Sequence, residues 1–196
     1  MESQRDFFNN MADRWDEISK HDMEKVEYIL NLMDIKQGDH ILDVGTGTGV
    51  LIPGLYKRTT SAGRIKAVDL SENMLKIAKE KNRFQNVEFF CGDVLESDSL
   101  DVYDHIICYS MFPHFKSRQA EAIKILSQKL APNGKLMISH SQSREEINNV
   151  HRDIDKPVKL DTLPNMEVLE KYFLDANLNV VNKIDNDEMF VIIGSS

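Results

Sequence analysis

The sequence predicts an α/β protein, a three-layer αβα sandwich with helices on both faces of a mostly parallel sheet, and three observations carry that expectation. Short apolar runs alternate along the chain with segments whose apolar residues recur at helical spacing. The stretch His40-Ile41-Leu42-Asp43-Val44-Gly45-Thr46-Gly47-Thr48-Gly49-Val50-Leu51-Ile52 passes from one apolar run to the next through three alternating glycines. It reads as a buried strand, a tight loop and a helix start. The tail carries two further runs, 178–184 and 189–193, which read as a hairpin across Asn186-Asp187.

Each element has its own reason. The opening, Phe7-Phe8-Asn9-Asn10-Met11-Ala12-Asp13-Arg14-Trp15-Asp16, mixes aromatics with charge. It suits either a lid over a ligand or an N-terminal helix that docks its aromatics on the core. Asp22 then caps a helix whose apolar residues Val26, Ile29, Leu30 and Met33 share one face, and the helix stops near Gln37-Gly38-Asp39. In the central stretch glycine leaves room for a ligand to approach the backbone and tolerates positive φ. The amides that open the following helix are expected to face that ligand. Pro53 is compatible with this helix only in its first turn.

A second strand, residues 64–69, ends in Asp69, and Ser71 to Lys81 forms the next helix with Met74, Leu75 and Ala78 inward. Residues 87–91 and 103–109 read as strands, the latter apolar enough to be central. A helix from Ser117 runs through Ala120, Ile123, Ile125, Leu126 and Leu130 and ends at Ala131-Pro132-Asn133-Gly134. The fifth strand is 136–140, residues 143–151 have helical composition, and a last helix lies near Met166 to Ala176.

Composition bounds what such a chain does. With 196 residues and 41% apolar content it can bury one good core, so the expectation is a single domain over 1–196, with 1–36 as a helical lid and 38–196 as the core. No apolar run is long enough to span a bilayer, and the opening residues lack the basic-then-apolar pattern of a signal sequence, so a cytoplasmic location is expected. Cys91 and Cys108 both lie inside strand-like runs and read as buried thiols. A formal net charge of −8 disfavours a broad phosphate-gripping surface, and with it a nucleic-acid partner.

The register of the glycines separates two kinds of cradle. A dinucleotide fingerprint G-x-G-x-x-G would place its third glycine where Val50 stands, which disfavours a nicotinamide-dependent oxidoreductase. Asp43-x-Gly45-x-Gly47-x-Gly49 instead resembles the first motif of the class I methyltransferases that use S-adenosylmethionine (SAM). Asp69-Leu70-Ser71 with Glu72-Asn73-Met74 resembles their second motif, an acid that binds ribose beside apolar residues that flank adenine. Gly92-Asp93-Val94 resembles their adenine-edge site. The Pro132-Asn133-Gly134-Lys135 turn resembles the family again, and the N-terminal segment resembles its quinone-biosynthesis branch. There it implies Trp15 as an aromatic wall and Arg14 as a partner for a carboxylate.

The resemblance implies a Rossmann-like, seven-stranded sheet with an antiparallel C-terminal edge strand and SAM as cofactor. It implies a cofactor set of Asp43, Gly45, Thr46, Gly47, Gly49, Asp69, Leu70, Met74, Asp93, Val94 and Tyr109. Members that methylate DNA adenine or glutamine carry Asn or Asp, then Pro-Pro and an aromatic after the fourth strand. This chain has Cys108-Tyr109-Ser110 there, which points to a small-molecule acceptor. A non-catalytic SAM-binding sensor or partner subunit is the alternative.

Methyl transfer is an in-line displacement, and an acceptor that carries a proton also needs a base. Three histidines are candidates: His114 after the fourth strand, His140 ending the fifth, and His151 beyond it. Each also has a structural reading, and together with Glu146 the three have the chemistry to hold zinc or iron.

Overall fold

The computed structural model describes residues 3–96, 101–153, 158–159 and 161–196, with the side chains of 151–153 outside that description. Seven strands form one sheet: β1 (His40–Val44), β2 (Arg64–Asp69), β3 (Val87–Cys91), β4 (Tyr103–Tyr109), β5 (Leu130–His140), β6 (Asn179–Asp185) and β7 (Phe190–Ser195). Their spatial order is β3-β2-β1-β4-β5-β7-β6. The pairings from β3 through β5 are parallel, and β7 runs antiparallel to both β5 and β6. The chain's last strand therefore slots inside the sheet, and β6 forms that edge.

Strand alternation feeds two cores. Leu42, Ile106, Leu136, Ile138 and Phe190 point to one face, while Ile41, Ile107, Met137, Val191 and Ile193 point to the other. The first face is covered by α6 (Gln119–Ser127), through Ala122, Ile123 and Leu126, and by α8 (Met166–Asp175), through Leu169 and Phe173. The second is covered by α3 (Met23–Leu32), through Val26, Ile29 and Leu30, and by α4 (Ile52–Thr59), through Leu55. Ordered helices on both faces explain why the inner strands are apolar on both sides.

The sequence-based boundaries shift by a few residues in several places, α6 ending at Ser127 with Leu130 already in β5, and two of the shifts have a clear physical reason. α4 begins at Ile52, well past the glycines, because Gly45, Gly47 and Gly49 all have positive φ and no right-handed turn can form across them. β5 begins at Leu130, six residues early. Its Pro-Asn-Gly turn is a bulge, with Asn133 at φ 64°, that shifts the register between the Tyr103–Leu130 and His105–Lys135 pairs.

The N-terminal segment docks on the core and reaches a cleft beside it. α1 (Gln4–Met11), capped by a reciprocal Ser3–Asp6 pair, leads through a 3-10 turn at Ala12–Arg14 to the short α2 (Trp15–Ile18). Phe7 and Ala12 are buried, whereas Phe8 and Trp15 line a cleft and Arg14 stays exposed. The segment packs along α5 (Glu72–Lys81), and polar latches hold it there. Ser71 Oγ donates to Asn9 Oδ1 at 2.7 Å, and Arg5 pairs with Glu72. Lys81 Nζ and Thr48 Oγ1 both donate to the Asp16 carboxylate, at 2.7 and 2.5 Å. Among the described residues no helix is long and apolar enough to cross a membrane.

Candidate active site

β1 lies between β2 and β4, so the chain leaves it in opposite directions and a crevice opens beyond the carboxyl ends of these strands. A cleft of about 350 Å³ occupies that crevice. The volume falls in the range of sites that enclose a drug-sized ligand. Its floor is the loop after β1, its walls are the loops after β2, β3 and β4, and its roof is Gln4, Phe8 and Trp15 of the N-terminal segment.

The floor is held by two acids. Asp69 Oδ2 accepts the Gly47 amide at 2.8 Å, and its Oδ1 accepts the Ser71 amide at 2.8 Å. One carboxylate thereby ties the glycine loop to the start of α5. Asp43, 2% exposed, accepts the Thr46 hydroxyl at 2.6 Å. Burial pushes the Asp43 carboxyl up to about 7, with the neighbouring Asp69 charge adding to the effect, and burial raises Asp69 as well.

The glycines do different jobs. A Cβ on Gly45, at φ 67°, would meet Met111 Cγ at 2.7 Å and Met111 Cβ at 2.8 Å. A Cβ on Gly47, at φ 55°, would enter the cleft, where the nearest atom is Trp15 Nε1 at 3.8 Å. Gly49 does not line the cleft: it is buried against α5, and a Cβ there would meet Asn82 Nδ2 at 2.5 Å and Ala78 Cβ at 3.2 Å. Its place in the cofactor set is corrected accordingly; it is a helix-packing glycine. The cleft is also served by loop amides and not by those of the α4 turn, which starts too late.

The remaining cofactor set converges. Leu70, Met74, Asp93, Val94 and Tyr109 all line the cleft with Asp43, Gly45, Thr46, Gly47 and Asp69. Asp93 caps a 3-10 turn by accepting the Leu95 amide at 2.9 Å, and Arg118 approaches its other oxygen at 3.4 Å. Tyr109 shares its hydroxyl with His21 Nδ1 at 3.0 Å and Ser141 Oγ at 2.8 Å. Burial raises the Tyr109 phenol to about 12 and lowers His21. His21 therefore favours the neutral form, and Ser19 Oγ lies 3.2 Å from its Nε2.

The three histidines separate. His114 lines the cleft, meets Phe8 edge to face, and its Nδ1 donates to Asp161 Oδ2 at 2.7 Å. Asp161 is fully buried and also faces Lys116 Nζ at 3.6 Å. His140 is 2% exposed, sits in register with Phe190 of β7 and does not line the cleft. Inserting β7 beside β5 draws that residue into the sheet, so its expected catalytic place is withdrawn. His151 stands on α7 (Arg144–Asp153), and its side chain lies outside the described residues. Among the described residues no three metal-ligating side chains come together.

Sequence reasoning missed His21, Arg118 and Asp161. Asp161 lies 47 residues from His114 and His21 lies 88 from Tyr109, separations at which periodicity carries no signal.

Comparison with known proteins agrees with this geometry. Residues 35–181 match a family model described as a methyltransferase domain. A malonyl-[acyl-carrier protein] O-methyltransferase of Priestia megaterium is 35% identical over 67% of this chain and 48% of its own length. A ubiquinone biosynthesis O-methyltransferase of Coxiella burnetii is 30% identical over 59% of this chain and 48% of its own. The chain thus spans about half the length of these curated relatives. Among solved structures, the methyltransferase in the Haloferax volcanii complex with the Trm112 methyltransferase activator superposes with a TM-score of 0.82, at 19% identity, over 98% of this chain and 97% of that one.

Proposed function

Because the chain belongs to the methyltransferase-domain family over residues 35–181, we propose that it transfers a methyl group from SAM, the cofactor of that family, to a small-molecule acceptor. The observation that carries this reading is the join between Gly47 and Asp69. A glycine whose Cβ would fill the cleft is fixed by its own amide to a carboxylate on the floor, so the backbone is held open beside an acid. These residues fit the cofactor: Asp69 for ribose hydroxyls, Leu70, Met74 and Val94 as an apolar slot, and Asp93 at the edge of that slot.

When bound, the cofactor supplies a methyl group on a positively charged sulfur. The chain's own residues position and enclose. The carboxylate of Asp69 keeps lone pairs for hydroxyl donors after accepting two amides. Phe8 and Trp15 roof the cleft and exclude water, which strengthens every polar contact beneath them. His114, donating from Nδ1 to the buried Asp161, presents Nε2 as the base for a proton on the acceptor. Aromatic and thioether walls from Phe8, Phe115 and Met111 suit an acceptor with an apolar body.

Calorimetric titration with SAM, S-adenosylhomocysteine (SAH) and NADH tests the proposal. Micromolar binding of the two sulfur ligands and none of NADH is expected. Failure of both sulfur ligands to bind overturns it. Binding without turnover on a panel of small carboxylates and hydroxylated ring compounds would favour a sensor.

A further inference from the structure

Arg118 lines the cleft, yet methyl transfer as derived above gives it no task. It ends the 3-10 segment Phe112–Arg118 that follows β4 and stands immediately before α6. Its planar guanidinium gathers carboxylates from two other elements: Asp93 and Glu96 from the loop after β3, and Glu121 from the first turn of α6. Nε donates to Glu121 Oε2 at 2.7 Å, Nη2 donates to Glu96 Oε1 at 2.8 Å, and Nη1 approaches Asp93 Oδ2 at 3.4 Å. Two contacts are short, and the third is long. The long one goes to Asp93, the acid of the three that lines the cleft.

That inequality decides what Asp93 can do. Its Oδ1 is committed to the Leu95 amide at 2.9 Å. A guanidinium free to move would close on Oδ2 as well, because its fork matches a carboxylate, and the acid would then have fewer lone pairs for a ligand. Glu96 and Glu121 hold it back. A single exposed ion pair fixes little, but a rigid plane tied to two separate elements has one place to sit. Asp93 is thereby steadied by Arg118 and still open to a donor.

We propose that Arg118, anchored by Glu96 and Glu121, is the positioning residue through which Asp93 selects the base of the cofactor, so that an adenine 6-amino group is accepted and a 6-carbonyl is refused. This rests on the methyltransferase reading of the cleft.

The chemistry of the two bases makes orientation the deciding factor. An ionised carboxylate only accepts, so it gains a hydrogen bond from an amino group and meets a carbonyl oxygen lone pair to lone pair. A 6-carbonyl base, however, carries an N–H on the neighbouring ring nitrogen. A mobile carboxylate would shift across to that N–H and recover the bond, whereas one held between the Leu95 amide and Arg118 cannot. The side walls Leu70, Met74 and Val94 are apolar and do not tell the two bases apart. The choice therefore falls on Asp93, and the aim of Asp93 falls on Arg118.

The test is calorimetric titration of the full chain with SAH and with S-inosylhomocysteine, in which a carbonyl replaces the 6-amino group. The parent is expected to favour SAH by at least about tenfold, the scale of one hydrogen bond to a charged group. Arg118→Met keeps the apolar stem, removes the fork and is expected to erase most of that ratio. Glu96→Gln combined with Glu121→Gln, at two residues that do not line the cleft, is expected to lower the ratio in the same direction. Arg118→Lys is expected to leave it low, because a compact ammonium lacks the fork that spans the three acids. A ratio unchanged from the parent in Arg118→Met, with both ligands weakened alike, marks a purely structural residue and overturns the proposal. Recovery of the ratio in Arg118→Lys, or no preference for SAH in the parent, overturns it too. If Arg118→Met fails to fold, the double glutamine variant decides, and a parent-like ratio there is fatal. No binding of either ligand to the parent overturns the methyltransferase reading instead.

Discussion

Replacing Gly45 and Gly47 one at a time with alanine separates folding from binding, although the two residues lie two positions apart. Both sit at positive φ, 67° and 55°, so each alanine costs about 1–2 kcal/mol of backbone strain. At Gly47 nothing more is added, because the nearest atom to the new methyl is Trp15 Nε1 at 3.8 Å, an ordinary contact. At Gly45 the methyl meets Met111 Cγ and Cβ at 2.7 and 2.8 Å. The Cγ can swing but the Cβ is tied to the backbone, so overpacking adds about 1–3 kcal/mol. Gly45→Ala is thus expected to lose about 2–5 kcal/mol and Gly47→Ala about 1–2. Urea unfolding followed by fluorescence measures both, with unchanged m-values required for the comparison. Calorimetry with SAM should show the reverse order: Gly47→Ala loses at least about tenfold in affinity because its methyl stands inside the cleft. If the two variants lose equal stability, or if Gly47→Ala binds SAM like the parent, the separation of roles within this loop is wrong.

Other variants probe the acids and the roof. Asp69→Ala removes the acceptor of two amides and of the proposed ribose contact, so a SAM affinity loss of about 1–3 kcal/mol is expected by calorimetry, and an unchanged affinity would refute the ribose assignment. Asp43 binds its proton more tightly when folded than when unfolded, so its contribution to stability must decline as pH rises from about 4 to about 7. Asp43→Asn should therefore gain thermal stability relative to the parent at pH 8 and not at pH 4, as followed by melting scans. Asp16→Ala releases the Lys81 and Thr48 bonds and should speed SAH dissociation in stopped-flow experiments with little change in melting temperature. His140→Ala should lower the melting temperature while leaving SAM affinity alone, since that residue is buried beside β7 and away from the cleft.

Local chemistry made much of this legible in the sequence. Strands β1 to β4 coincide with the runs that predict them: β1 and β4, buried nearly throughout, are apolar on both faces, whereas β3 is a largely exposed edge strand marked by its aromatics Phe89 and Phe90. The acids ending β1 and β2 and the Gly92-Asp93-Val94 turn all reach the cleft for the same reason: in a parallel sheet the carboxyl ends of neighbouring strands share one edge. Sequence reasoning went astray where the third dimension decides. Gly49 and Gly47 look alike on paper, yet one meets Ala78 and the other meets open space. His140 and His114 both follow apolar strands, but the insertion of β7 encloses the first while Asp161 aims the second. His114, its carboxylate partner Asp161 and the Tyr109 hydroxyl network are assembled from distant segments, a relation that spacing along the chain does not encode.

Trp15, placed in the roof across from Gly47, is the chain's single tryptophan. All indole emission from this protein therefore arises at the one spot where roof and floor meet. Its colour and intensity report the polarity of that gap, and quenching by dissolved iodide or acrylamide reports how often the roof lifts. An unlabelled sample in a cuvette thus carries its own optical gauge of opening and filling, with no background from a second indole to subtract.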